Sequence, residues 1–231
     1  MTSQPSTPIR LNKFLASSTF LSRRGADQAI SEGRVHVDGH TASTGMMVTG
    51  LEDITVDGHA VDARPRTQTI MLNKPRGYVV SRNGQGSRTV FDLLPEELHH
   101  LKPVGRLDKD SSGLLLMTTD GDLAEQLTHP RYQKTKTYQV VLDKPLAPFH
   151  RQMIADMGVQ LEDGVSQLGL ERMEDGNDKH WLVIMREGRN RQIRRTFDSL
   201  GYLVTSLHRV QFGTYTLGDL SSGKFVPLAE K

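Results

Sequence analysis

The stretch "VGRLDKDSSGLLLMTTDGDL", residues 104–123, runs an acidic turn straight into an apolar segment. It holds four aspartates, and Asp108 and Asp110 stand two residues apart. "GLLLMTT" is short, continuous and apolar, the pattern of a buried strand. "GDLAEQLTHP" reads as a helix that starts after Asp120-Gly121 and stops at Pro130.

The core of this stretch, "DKDSSG", admits three readings. A calcium loop would take oxygen ligands from Asp108, Asp110 and Ser112 ahead of Gly113. Its twelfth position is then Thr119, where a bidentate Glu is needed, and a strand follows in place of an exiting helix. A plain turn would use Asp110, Ser111 and Ser112 to satisfy loop backbone groups. A fixed catalytic carboxylate suits Asp108, because Leu107 can anchor the turn in the core. A carboxylate at the mouth of a buried strand is partly desolvated and must find a cation or a proton.

Working outward, "TIMLNKPRGYVV" is strand-like on both sides of a Lys-Pro-Arg-Gly turn, and "TVFDLLP" and "EELHHL" read as short helical pieces. "KTKTYQVVLD" and "HWLVIMRE" alternate as strands, with Tyr138, Val140 and Leu142 on one face. "PFHRQMIADMG" is a helix. "NRQIRRTFDSLG" is another, with Asn190 as cap, Ile193, Phe197 and Leu200 inward and Gly201 as stop. Short strands follow up to "FVPL". There is no dinucleotide glycine fingerprint and no P-loop, and the elements alternate irregularly. The expected class is α+β with a mixed, mainly antiparallel sheet flanked by helices.

The N-terminal part reads as a separate module. Residues 1–8 suggest a flexible tail. Leu11, Phe14 and Leu15 take the spacing of a helix face. Ser22 caps a second helix with Ala26, Ala29 and Ile30 inward and Gly33 as stop. "RVHVDGH" and "ITVDGHAVD" are short strands around Asp-Gly turns. The expected boundaries are a module over residues 9–62, a linker over 63–68 and a larger domain over 69–231.

The chain has 231 residues, 36% hydrophobic, enough for a real core. No apolar run reaches the length of a bilayer span, and "MTSQPSTP" has no apolar signal core, so the cytosol is the expected location. The absence of Cys excludes disulfides, thiolate zinc sites and thiolate nucleophiles. Net charge is only +2, from 29 basic and 27 acidic residues, but the bases cluster. Residues 9–24 carry Arg10, Lys13, Arg23 and Arg24 with no acid, and residues 186–195 carry five Arg against one Glu. Two basic patches in a nearly neutral chain suit phosphate; ordinary solvated charge is the plain alternative.

"GRLDKDSSGLLLMTTDGDLAEQLTHP", "NKPRGYVVS", "KTYQVVL", "GVQLEDG" and "EGRNRQIRRTF" together resemble the signatures of bacterial ribosomal RNA pseudouridine synthases of the RsuA/RluB type. "IRLNKFLA", "SRRGADQAI" and "GRVHVDG" resemble the small αL RNA-binding domain first seen in the fourth protein of the small ribosomal subunit. The resemblance covers Ile9 to Leu228. It implies isomerisation of a uridine in ribosomal RNA, or in a ribosome-assembly intermediate, by a monomer with no membrane partner. That reaction is redox-neutral, so it implies no metal and no cofactor.

By this resemblance Asp108 is the catalytic acid, acting on the ribose as nucleophile or by removing a ribose proton. Arg194 pairs with it through two parallel hydrogen bonds; the alternative is a surface Arg. Tyr138 stacks on the base, or is a core tyrosine. Arg106 fills the space of the flipped base, or bridges to Asp110. Lys74 touches RNA, or its motif fixes a turn. Arg191 and Arg195 are solvated or phosphate-facing, and Arg10, Lys13, Arg23, Arg24 and Arg34 contact phosphate. "GVQLEDG" is structural. The details of "EGRNRQIRR" lean towards large-subunit RNA. The competing function is a catalytically silent RNA-binding or assembly factor of the same fold.

Overall fold

The structure is a computed structural model that describes residues 7–19, 21–62 and 67–228. The expected tail and linker fall mostly outside these residues. The chain divides into two compact units, Met1–Thr67 and Gln68–Lys231.

The first unit contains β1 (Ile9–Arg10), α1 (Leu11–Ser18), α2 (Arg23–Ser31), β2 (Val35–Val37), β3 (His40–Thr41), β4 (Met47–Val48), β5 (Ile54–Val56) and β6 (His59–Ala60). Leu11, Phe14 and Leu15 turn one face of α1 inward, and Ala26, Ala29 and Ile30 do so for α2. Ser22 caps α2 by accepting the Gly25 N–H at 3.0 Å. The sheet runs β3-β2-β5-β6. Both of its hairpins turn on Asp-Gly, at φ 50° and 79° for Asp38-Gly39 and 53° and 80° for Asp57-Gly58. Two successive left-handed residues are what a tight type I′ turn requires, which accounts for the doubled "VDGH".

The second unit contains β7 (Thr69–Lys74), β8 (Lys102–Val104), β9 (Ser112–Thr118), α3 (Gly121–Thr128), β10 (Lys136–Leu142), α4 (Pro148–Gln152), β11 (Val159–Leu161), β12 (Gly164–Ser166), β13 (Gly169–Arg172), β14 (His180–Met185), α5 (Gln192–Asp198), β15 (Val204–Phe212), β16 (Tyr215–Thr216) and β17 (Phe225–Leu228). Nine strands form one sheet, ordered β13-β14-β10-β15-β9-β7-β17, with β8 on β9 and β16 on β15. Every described ladder in it is antiparallel except β15 with β9. This is the mixed α+β sheet expected.

Strands β7 and β9 are buried on both faces, which is why they read as continuous apolar runs. Period-two alternation still sorts their side chains. Ile70, Leu72, Leu115 and Met117 join the larger core, with Val140, Trp181 and Phe197. Met71, Leu114 and Leu116 join the core of the opposite face, with Leu127 and Phe212.

Three local expectations are corrected. After the Lys-Pro-Arg-Gly turn there is no strand, only an isolated bridge from Val79 to Thr89. Residues 204–212, expected among short strands, form a nine-residue strand in the middle of the sheet. Its ladder with β10 shifts register at Thr137/Tyr138 and at Val141/Leu142, so its burial does not follow a simple alternation. Finally, Asn190 does not cap α5. The cap position is Arg191, at φ 47°, whose side chain makes no capping bond to the helix.

Candidate active site

The acidic turn is held by its carbonyls. The Asp108 carbonyl accepts the Ser111 N–H at 3.1 Å, and the Lys109 carbonyl accepts the Gly77 N–H at 2.7 Å. The Asp110 carbonyl accepts from Arg76 Nε at 3.0 Å and Arg194 Nη2 at 3.1 Å. The Ser111 carbonyl accepts from Lys74 Nζ at 2.7 Å. Four successive acceptors are thus satisfied by the "NKPRG" segment, by α5 and by the turn itself, while buried Leu107 anchors it in the core. At its exit Gly113, φ +106°, pairs with Arg209 of β15. A Cβ there would lie 2.3 Å from the Arg209 carbonyl oxygen, so only glycine lets the turn dock on β15.

The two carboxylates are held differently. Asp110 faces two guanidinium groups. Arg191 donates to both of its oxygens, at 3.1 and 3.2 Å, and Arg194 Nε lies 3.2 Å from Oδ2. Burial would raise the Asp110 carboxyl, but the Arg191 hydrogen bond and the charges of Arg194 and Arg191 outweigh it, and the net direction is down. Asp108 has a single side-chain contact, from Arg191 Nη1 at 3.3 Å, and its side chain stays 36% exposed. The expected Asp108–Arg194 pair is therefore corrected. Arg194 bonds the Val204 carbonyl at 2.7 Å and braces Asp110, while Arg191, expected to be solvated or phosphate-facing, reaches Asp108. Guanidinium groups facing both acids oppose a calcium ion between them, since each would repel it.

Asp108 opens onto a cavity of about 670 Å³. Arg106 and Tyr138 also line it. Arg106 is exposed and makes no ion pair with Asp110, which removes that alternative. Tyr138 is 8% exposed and serves both the core and the cavity wall.

The same wall carries residues that the sequence reading did not single out. Lys136 and Tyr138 of β10 stand opposite Phe212 and Arg209 of β15. Arg209 is 2% exposed; its Nε donates to the Leu114 carbonyl at 2.7 Å, its Nη2 is buried without a hydrogen-bond partner, and no acid pairs with it among the described residues. Its guanidinium lies 4.8 Å from the centre of the Phe212 ring, and the Lys136 ammonium lies 5.4 Å from the same ring. Burial and the Arg209 charge push Lys136 down, against the Glu187 charge. The signal in the sequence was an Arg at a buried-strand position, which is otherwise avoided.

Three expected RNA contacts are corrected. Lys74 is fully buried and donates to the Ser111 and Pro75 carbonyls. Burial lowers it to about 8, against the Asp108 and Asp110 charges. Arg195 pairs bidentately with Asp163, at 3.0 and 2.7 Å, and Arg189 joins the same carboxylate at 2.9 Å. "GVQLEDG" thus acts structurally, as the β11–β12 hairpin that holds α5. In the first unit Arg34 is bidentate to Asp57, at 2.6 and 2.5 Å, and also pairs with Glu32. By contrast, Arg10, Arg23 and Arg24 are exposed and form no ion pair among the described residues. Lys13 is half-buried on α1. Arg23 and Arg24 sit in the first turn of α2, where the helix dipole disfavours cations and favours anions.

Comparison with known proteins agrees with this geometry. The family model for RNA pseudouridylate synthase matches residues 68–199, and that for the S4 domain matches residues 9–62. Ribosomal large subunit pseudouridine synthase B of Pseudomonas aeruginosa is 37% identical over 235 residues, 96% of this chain. The chain spans only 60% of that relative's length. Ribosomal small subunit pseudouridine synthase A of Yersinia pestis is 35% identical over 223 residues, 95% of this chain and 94% of that protein. A crystal structure of a pseudouridylate synthase superposes with a TM-score of 0.68 at 30% identity, over 96% of each chain. With an S4 domain ahead of a synthase domain that encloses an acid-bearing cavity, the chain belongs to the RNA pseudouridylate synthase family.

Proposed function

We propose that this chain converts a uridine of ribosomal RNA to pseudouridine, with large-subunit RNA as the substrate and Asp108 as the acting group. One observation carries the reading. Asp108 is presented on a turn whose four carbonyls are all bonded, at the rim of a cavity that also exposes Tyr138 and Arg106. Rigid placement of one carboxylate is what chemistry at the ribose requires. The C1′–N1 bond breaks and its electron pair leaves with the base. The base rejoins C1′ through C5, the C5 proton is released and N1 gains one, so no group is added and no electrons are transferred.

The target atom is unreachable in stacked RNA, so the nucleotide turns out into the cavity. Tyr138 offers an aromatic face to the base. Arg106, exposed beside Asp108, fills the vacated stack. Arg191 and Arg194 hold the acidic turn in register. Arg10, Lys13, Arg23 and Arg24 position the RNA through phosphates. The enzyme works as a cytosolic monomer without a cofactor. The large-subunit assignment follows the Pseudomonas relative's name.

The test is to incubate the chain with ribosomal RNA, with and without chelator, and to map pseudouridine chemically. Product at a defined uridine is expected in both cases. RNA binding without product in either would make the chain a silent binding factor. Product on small-subunit RNA alone would overturn the substrate assignment.

A further inference from the structure

The cavity that Asp108 lines is also lined by a cation, Arg209, that no acid pairs with among the described residues. Among the described residues Arg209 is a buried cation without an acid, and its Nη2 is without a hydrogen-bond partner. Lys136 shares the Phe212 ring with it and bonds only the Glu187 carbonyl, at 3.3 Å. The Glu187 carboxylate is engaged elsewhere, by Arg189 at 3.2 Å and by Gln192. Burying an unpaired charge is costly, so such a group on a cavity wall calls for a partner that arrives from outside. Arg209 is also the register partner of Tyr138 in the β10–β15 ladder, and both line the cavity.

We propose that Arg209, with Lys136 behind the shared Phe212 ring, donates to a carbonyl oxygen of the turned-out uracil and stabilises the negative charge the base acquires when it leaves the ribose. This rests on the synthase reading above. The uracil is neutral in the substrate and anionic once the C1′–N1 electron pair has left with it, with the charge spread over N1 and the two carbonyl oxygens. A preorganised cation therefore binds the separated base more tightly than the substrate, the differential that lowers a barrier. The charge disappears when C5 has rejoined C1′ and the proton has moved from C5 to N1. Asp108 handles the sugar and Arg209 handles the base, within one cavity.

The experiment is a substrate–enzyme cycle on a stem-loop RNA carrying the mapped uridine, or 2-thiouridine or 4-thiouridine in its place. Sulfur is a poor acceptor, so one of the two thio-RNAs should slow the wild-type single-turnover rate by about tenfold. Arg209→Gln should slow the uridine RNA by about a hundredfold with the RNA Kd nearly unchanged, and should abolish the thio penalty. Arg209→Lys, which keeps the charge, should fall between the two. If Arg209→Gln fails to fold, the same cycle between wild type and Arg209→Lys decides. Equal thio penalties in wild type and variant overturn the proposal. So does coupling only to a methylphosphonate at the target's 5′ phosphate, which would make Arg209 a backbone contact. A wild-type enzyme that turns over without coupling overturns this inference alone; an inactive wild type overturns the synthase reading itself.

Discussion

The turn that carries Asp108 and the strand wall that carries Arg209 meet at Gly113, yet they are built on opposite principles. On the turn every carbonyl from Asp108 to Ser111 has a donor, and two arginines converge on Asp110. On the wall, among the described residues, Arg209 has no acid and an unbonded Nη2. The first region spends its backbone carbonyls on the protein and leaves the Asp108 carboxylate on the cavity. The second has little internal partnership and a surplus of donors. Both Asp108 and Arg209 line the one cavity. The basic motif of residues 186–195 belongs with the first region, since Arg189, Arg191, Arg194 and Arg195 all pair with acids of the same domain.

The contrast can be broken at its hinge. Gly113→Ala puts a Cβ into the Arg209 backbone at a positive φ, and should cost at least about 3 kcal/mol in urea unfolding. A near-neutral result would mean that the turn does not dock on β15 as described. Next, Arg194→Ala removes donors to the Val204 and Asp110 carbonyls and should destabilise by about 2–3 kcal/mol. If stability is unchanged while turnover is lost, Arg194 acts on substrate and is not a brace.

Lys74 sharpens the turn side through pH. Its folded value is about 8 against an ordinary 10.5, so between these the unfolded chain holds the proton and the folded chain has lost it. Unfolding free energy therefore rises with pH across that window, by up to about 3 kcal/mol. Lys74→Met should remove this rise in urea melts; parallel pH profiles for the two proteins would contradict it. The smallest effect extends the contrast to the first unit. Arg23→Ala or Arg24→Ala should lower the salt dependence of RNA affinity by about one ion per phosphate lost. Arg34→Ala, already bonded to Asp57 and Glu32, should leave that slope unchanged.

Much of this was legible in the sequence, and the parts that were not share a cause. Helix faces, the capped α2, the Asp-Gly hairpins and the buried β9 are local patterns, decided by residues within a few positions of one another. The acidic turn was legible for the same reason. The partner of each arginine was not, because Arg191 and Arg194 lie 83 and 84 residues from the acidic residues they bond, and helical spacing alone does not choose between Asp108 and Asp110. β15 was hidden by the bulges in its ladder and by Arg209, a charged residue where a buried strand normally carries an apolar one. Lys74 read as an RNA contact because lysine is normally exposed; here "NKPRG" folds beneath the turn and turns it inward.

The central claim is that one carboxylate of the pair does the chemistry and the other holds the turn. It is tested most directly by single-turnover conversion of the mapped uridine by Asp108→Asn and Asp110→Asn, with RNA binding measured alongside. Asp108→Asn should lose at least about a thousandfold in rate with RNA affinity intact, and Asp110→Asn should retain measurable turnover. Equal loss in both variants, or wild-type rates from Asp108→Asn, would contradict the account.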